Sequence, residues 1–276
     1  MKILKANGAE IPALGLGTWP MKGEECSSIV EEAIAVGYRH IDTAVMYQND
    51  REVGEGIKAS GTDRSELFVT TKVWPTDVVD GTFQNTVRTT LDRLQLDHVD
   101  LLLIHWPPKV GAVEQWADLL NEAAANGWTK HIGVSNFTSA QLEAMVKASE
   151  RPIVCNQFEN HPYLDQSILR AACAKHGVAL IAYCPLFHGG DLFAEKAVVD
   201  AASAHGKSPA QVVLRWHMQF DGAGAIPKTA TPSRLPENFD VFNFELSDAE
   251  MAAISALSAR HERICDFEFS PQWDAA

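Results

Sequence analysis

Short apolar runs alternate with amphipathic stretches almost without a break from residue 13 to residue 228, and no other feature of the chain restricts its fold as much. The run Val99-Asp-Leu-Leu-Leu-Ile-His105-Trp106-Pro107-Pro108 is the clearest of them. It is too short to span a bilayer but suits a strand buried on both faces, as in a parallel sheet. Pro107 and Pro108 cannot donate to a ladder, so the strand stops there and leaves His105 at its carboxyl edge. The runs 13–17, 38–42, 67–74, 131–136, 152–157, 178–183 and 224–228 read as seven more strands. Between them lie helical signals. Residues 24–36 end at Gly37, residues 51–59 form a second helix, and Phe83, Val87, Leu91 and Leu94 share one helical face, as do Val113, Trp116, Ala117 and Leu120. Thr138 with Gln141, Ser208-Pro209 with Gln211, and Ser247 with Glu250 mark three helix starts. Asp165 is expected to cap a helix closed by Gly177. Eight strands alternating with helices form an α/β chain with the pattern of a parallel (β/α)8 barrel of the TIM type.

An N-terminal β-hairpin turning at Asn7-Gly8 is expected to plug one end, and a tail from about residue 259 to lie across the barrel. No Pro/Gly/Ser-rich linker divides the chain, so residues 1–276 are expected to form one barrel domain. Gly15 and Gly17 are followed by Pro20 where a dinucleotide-binding G-x-G-x-x-G loop needs its third glycine, which disfavours a Rossmann fold. The net charge of −13 argues against nucleic acid and against an anionic membrane as partners, so an anionic ligand must meet a local basic cluster. No apolar run approaches the ~20 residues of a membrane span, and Met1-Lys-Ile-Leu-Lys starts no signal peptide, so a cytoplasmic protein is expected. Its five scattered cysteines include no CxxC, which fits reduced thiols and no zinc site.

What stands at each strand's end carries the functional information: Asp42, Lys72, His105, Ser135-Asn136, Gln157, Tyr183 and Lys228. In a barrel all such ends converge on one mouth. One polar residue after a strand would mean little, but polar residues at seven strand ends around one rim read as a site.

Three stretches then resemble, in order, the signatures of the aldo-keto reductases: Gly37-Tyr-Arg-His-Ile-Asp42-Thr-Ala-Val-Met-Tyr47-Gln-Asn, Leu94 through Pro107, and Ile226-Pro-Lys228-Thr-Ala-Thr-Pro-Ser-Arg234-Leu-Pro-Glu237-Asn238. The resemblance covers nearly the whole chain and implies a catalytic tetrad of Asp42, Tyr47, Lys72 and His105. Its logic is simple: carbonyl reduction needs a proton for the developing alkoxide, and a nearby Lys72 ammonium, aimed by Asp42, is expected to lower the pKa of the Tyr47 phenol. His105 would orient the carbonyl. The resemblance further implies NADP(H), with Ser135, Asn136 and Gln157 on the carboxamide and Tyr183 stacked on the nicotinamide. Lys228, Thr229 and Arg234 would hold the 2′-phosphate, and Glu237 and Asn238 the adenine. A guanidinium that both neutralises phosphate and stacks on a base suits NADP(H) better than NAD(H). No metal is implied.

Trp19, Trp74 and Trp106 flank strand ends and, by the same resemblance, wall the substrate pocket. The short tail is similar to that of bacterial 2,5-diketo-D-gluconate reductases of the B type, which also act on methylglyoxal. Reduction of a small polar aldehyde or ketone to an alcohol by a monomer is therefore expected. The rival is a non-catalytic NADP(H)-binding interaction module of the same fold. A metal-dependent hydrolase is disfavoured, because Lys and Tyr are poor ligands. Two departures from the family stand out. Cys184 replaces its usual Ser, and Phe187-His-Gly-Gly190-Asp differs from its common loop.

Overall fold

The computed structural model describes residues 1–275 and begins with a two-stranded antiparallel ribbon, β1 (Ile3–Ala6) and β2 (Ala9–Pro12). Asn7 and Gly8 turn it with positive φ, as an Asn-Gly hairpin requires. Eight parallel strands follow, each bonded to the next: β3 (Leu16–Gly17), β4 (His40–Asp42), β5 (Phe68–Val73), β6 (Val99–Ile104), β7 (Thr129–Ser135), β8 (Ile153–Glu159), β9 (Ala179–Tyr183) and β10 (Ala223–Ala225). The ends of this sheet meet. Leu14 bridges Ala225 in parallel, Ala225 N–H donates to Ala13 O at 2.8 Å, and Gly17 N–H donates to Pro227 O at 3.1 Å. The expected (β/α)8 barrel is therefore what forms.

Gly15, Gly17 and Gly224 line this seam. A Cβ on Gly224 would lie 2.4 Å from the Ala13 carbonyl oxygen, and one on Gly17 would lie 2.8 Å from that of Ile226. These glycines let two backbones approach and close the barrel, a use unrelated to phosphate binding. The hairpin sits at the opposite end from the mouth. Its Asn7 amide donates to the carbonyls of Ile153, at the start of β8, and His176, just ahead of β9, at 2.8 and 2.9 Å. That placement bears out the expected plug and leaves the carboxyl ends of the strands open.

The capping boxes at Thr138, Ser208 and Ser247 form as expected, opening helices Ser139–Ala148, Pro209–Gln219 and Asp248–Ser255. Asp165 does not cap its helix directly. The helix runs Ser167–Lys175 behind Gln166, starting one residue later than expected, while the Asp165 carboxylate takes the Ser167 N–H at 2.8 Å. The last strand is shorter than 224–228, because Pro227 has no N–H to donate and Lys228 lies beyond it in a loop. Helix Lys196–His205, buried only through Val198, Ala201 and Ala202, is not announced by the sequence, its apolar face being too small to stand out.

One buried carboxylate is poorly served by this packing. Helix Asp50–Ala59 lies close against helices Gly23–Val36 and Phe83–Leu94, where a Cβ on Gly54 would come within 2.3 Å of Leu94 O. Asp50 at its start is 2% exposed, neither carboxylate oxygen has a hydrogen-bond partner, and Arg93 approaches only to 4.0 Å. Burial pushes its carboxyl from 3.8 up to about 7, the Arg93 charge only partly opposing it. The unfolded chain then releases its proton first, so stability is lost as pH rises through this interval and the loss is complete above it. An Asp50→Asn variant, which keeps the neutral shape, should be more stable than the parent by roughly 1–3 kcal/mol at pH 8 and equal to it near pH 4. Urea denaturation at both pH values checks this, and a difference independent of pH would refute it.

Candidate active site

The ends of β4 to β9 bring the expected polar residues together at the mouth. Lys72, the fifth residue of β5, is fully buried, and its ammonium has three acceptors for its three protons: Asp42 Oδ1 at 2.5 Å, Thr43 O at 2.9 Å and the Tyr47 hydroxyl at 3.3 Å. Asp42 ends β4, and Tyr47 closes the short turn Val45–Tyr47 just after it. Asn49 holds this turn, donating to Thr18 O and Met21 O and accepting from the Thr43 hydroxyl. His105 follows β6, and its ring stands edge-on to Tyr47 at 5.6 Å and to Trp74 at 5.2 Å. The four expected tetrad residues thus share one hollow.

The electrostatics decide the protonation states. Burial pulls the Lys72 ammonium down, but Asp42 and the Tyr47 hydroxyl outweigh it and leave the lysine more basic than usual, hence charged. Burial and the Lys72 charge both hold His105 well below the ordinary imidazole value, so it is neutral at physiological pH. The Tyr47 phenol departs from expectation. Lys72 does pull its pKa down, but burial outweighs that pull and the net shift is upward. Desolvating a phenolate costs more here than one cation, already shared with Asp42, returns. Tyr47 therefore stands as a protonated donor beside a cation.

The residues expected around the carboxamide form a second network. Ser135 ends β7 and Asn136 follows it in a left-handed conformation, φ 63°. Asn136 Nδ2 donates to His105 O at 2.9 Å and to Ser135 Oγ at 3.1 Å, while its Oδ1 accepts from the Tyr183 hydroxyl at 2.6 Å. Gln157 has a partner the sequence did not suggest. Its Nε2 donates to Asp42 Oδ2 at 2.7 Å, tying β8 to the tetrad. Lys228 and Arg234 are exposed at the rim and pair with no carboxylate among the described residues. Thr229 is buried and bonded to Thr231, and helix Arg234–Phe239 carries Glu237 and the buried Asn238.

All three expected tryptophans border the mouth, Trp19 lying 5.2 Å from Tyr47 and 48% exposed. The tail adds walls that sequence reasoning missed. Phe269 packs edge-on to Trp74 at 5.4 Å and to Trp106 at 5.2 Å, and Trp273 packs on Trp106 at 6.0 Å. Between Trp74, Val79, Pro108, Val110 and Phe269 lies an apolar cavity of about 250 Å³. The tail is anchored at both ends. Fully buried Glu159, the last residue of β8, accepts from the backbone N–H groups of Ile264 and Cys265 at 2.6 and 2.7 Å and pairs with His161 at 2.8 Å. Asp274 takes the N–H and hydroxyl of Ser139 at 2.8 and 2.6 Å. The signal that could have found Glu159 is a carboxylate two residues beyond Gln157, at the end of a strand buried along its whole length.

Comparison with known proteins agrees with this geometry. The model of the aldo/keto reductase family matches residues 13–259. The chain is 42% identical to morphine 6-dehydrogenase of Pseudomonas putida, covering 91% of this chain and 89% of that one. It is 43% identical to glyoxal reductase of Bacillus subtilis, covering 94% and 92% respectively. The crystal structure of a putative 2,5-diketo-D-gluconic acid reductase B superposes with a TM-score of 0.97 at 41% identity, over 100% of this chain and 98% of that one. A closed barrel, a Lys72 ammonium joining Asp42 to Tyr47, and a family match over most of the length converge: the chain belongs to the aldo-keto reductase family of oxidoreductases.

Proposed function

We propose that the protein reduces small aldehydes and ketones, of the glyoxal, methylglyoxal and 2,5-diketo-D-gluconate kind, to alcohols with NADPH, Tyr47 serving as general acid. The observation that carries this reading is the Lys72 ammonium, whose third proton goes to the Tyr47 hydroxyl after Asp42 and Thr43 have taken the other two. The relatives' names support the substrate class, since one is a glyoxal reductase and a structural neighbour is a putative 2,5-diketo-D-gluconic acid reductase B.

The residues present fit a nicotinamide dinucleotide. Ser135 Oγ accepts from Asn136 and keeps its own hydrogen, while Asn136 Oδ1 accepts only one bond and retains a lone pair. A donor and an acceptor therefore remain for a carboxamide, with the Gln157 amide oxygen and its second N–H beside them. Tyr183 would lie against the nicotinamide ring. Lys228, Thr229 and Arg234 would meet a 2′-phosphate, and Glu237 and Asn238 the adenine. These exposed cations form the local basic cluster that a chain of net charge −13 needs to hold an anionic cofactor. When bound in its reduced form, the dinucleotide would supply a hydride, a hydrogen with its electron pair, to the carbonyl carbon.

The chain's own groups handle the proton. A carbonyl oxygen between Tyr47 and His105 would accept hydrogen bonds from the phenol and from a neutral imidazole N–H. As negative charge builds on that oxygen, Tyr47 gives up its proton. The phenolate that forms lies beside Lys72, which favours it more strongly than it favoured the neutral phenol. Asp42 keeps Lys72 charged and aimed throughout. Trp19, Trp74 and Trp106 exclude water from this hollow, and the adjoining cavity has room for a small apolar substituent.

Removing the phenolic oxygen tests the acid. Tyr47→Phe should bind NADPH with unchanged affinity, read by quenching of tryptophan fluorescence, while carbonyl reduction falls by at least roughly 10²–10⁴-fold. Retained consumption of NADPH with methylglyoxal would sink the assignment, and no consumption by the parent enzyme across methylglyoxal, 2,5-diketogluconate and benzaldehyde would sink the function itself. Arg234→Ala addresses the cofactor. Loss of a charged phosphate contact should weaken NADPH binding by roughly 10- to 100-fold and NADH binding, which shares only the stacking on adenine, far less. Equal losses for both dinucleotides would remove Arg234 from the phosphate site.

A further inference from the structure

Two of the five cysteines are not core residues. Cys26, Cys155 and Cys173 are buried, burial pushes their thiols up, and nothing in the structure brings them to the surface. Cys184 and Cys265 are half-buried and belong to segments 81 residues apart that meet at the mouth. Cys184 follows Tyr183 at the end of β9 with φ 47°. Cys265 opens the aromatic part of the tail, and its backbone N–H is held by Glu159, whose register partner across the β8–β9 ladder is Tyr183. The Glu159 carboxylate thus sets the tail beside the residue preceding Cys184. There the two thiols are near enough for each to shift the acidity of the other.

We propose that Cys184 and Cys265 are a thiol–disulfide couple, oxidised by hydrogen peroxide, whose disulfide staples the tail to the strand end carrying Tyr183. The two sulfurs are unequal. The neighbouring Cys184 thiol holds the Cys265 thiol below its usual range, and the same proximity pushes Cys184 up. Cys265 is accordingly the attacking group. Its thiolate attacks one oxygen of hydrogen peroxide and breaks the O–O bond, giving a sulfenic acid and hydroxide. The Cys184 sulfur then attacks the Cys265 sulfur, its S–H proton leaving with the expelled hydroxide as water. Overall, two thiols lose two electrons and two protons, and one peroxide becomes two waters.

The bond would join the surface expected to seat the cofactor to the wall of the pocket, because Phe267 and Phe269 follow Cys265 within four residues and cover Trp106 and Trp74. Tail and strand end could then no longer part, and turnover would slow wherever cofactor or product must pass between them. This kinetic consequence rests on the proposed function, whereas the chemistry of the two sulfurs does not.

The test treats the reduced full-length protein with stoichiometric hydrogen peroxide and maps its peptides without reduction. The expected result is one linked pair, Cys184 with Cys265, about 2 Da lighter than its two free peptides, formed before any other thiol reacts and reversed by dithiothreitol. Amide exchange over residues 266–275 should slow in the oxidised form. The kcat for a carbonyl substrate should fall several-fold and recover on reduction, and Cys265→Ser should show neither the link nor the oxidant-dependent change. Retention of both thiols, their separate conversion to sulfinic acids, or a link that leaves tail exchange unchanged would overturn the proposal. A link with slowed exchange in a protein that consumes no NADPH would instead count against the function proposed above.

Discussion

A fully buried ammonium is the constraint on which the mouth of this barrel depends. Lys72 is without solvent, and a charge so placed is tolerable only if every proton has an acceptor and a countercharge stands beside it. Asp42 supplies the charge, the Thr43 carbonyl takes a second proton, and Tyr47 takes the third. Asp42 spends its other oxygen on Gln157, 115 residues further along the chain, so one ion pair reaches from β4 to β8 across the ring. Such a pair adds little net stability, because the desolvation of two charges offsets most of their attraction, and removing either partner alone typically costs about 3–5 kcal/mol. Its value lies in geometry: a phenol is held where a cation can favour its ionised form only as that form appears.

The second network relies on hydrogen bonds rather than charge. Asn136, in a left-handed conformation at the end of β7, connects the His105 carbonyl with the Tyr183 hydroxyl, so the expected substrate side and cofactor side of the mouth share one amide. Glu159 does comparable work for the tail. Burial disfavours its charge, yet His161 and two backbone N–H groups bind it firmly enough to hold its carboxyl below the usual range. An ionised carboxylate inside the protein thereby fixes a segment that has almost no secondary structure of its own, and that segment places Phe267, Phe269 and Trp273 over the opening.

Much of this could be read from residues alone. The alternation of apolar runs with capped amphipathic stretches specified strands and helices, since a strand buried on both faces reads as a continuous apolar run and a helix as a period of 3.6 residues, with end signals a few positions away. Three capping boxes opened helices where expected, whereas Asp165 missed by one residue, because an Asp can take the N–H two positions on without the chain being helical yet. Asp42, Lys72 and His105 were legible because residues at strand ends must converge once a barrel is assumed, whereas Tyr47, in the turn beyond β4, came only from the resemblance to the aldo-keto reductases.

What sequence could not supply was any quantity that sums over distant neighbours. Proximity of Lys72 to Tyr47 was foreseen, but the direction of the phenol's shift depends on how much surrounding chain excludes water, and burial exceeded the pull of one cation already shared with Asp42. The bond from Gln157 to Asp42, the grip of Glu159 on residues 264–265 and the meeting of Cys184 with Cys265 all join segments with no local pattern in common. The sequence by itself determined the order of elements and which polar side chains arrive at the rim, because those follow from short-range periodicity. Only the closed tertiary structure decided which of them touch and which are charged, because contact and desolvation are set by chain segments that local sequence does not connect.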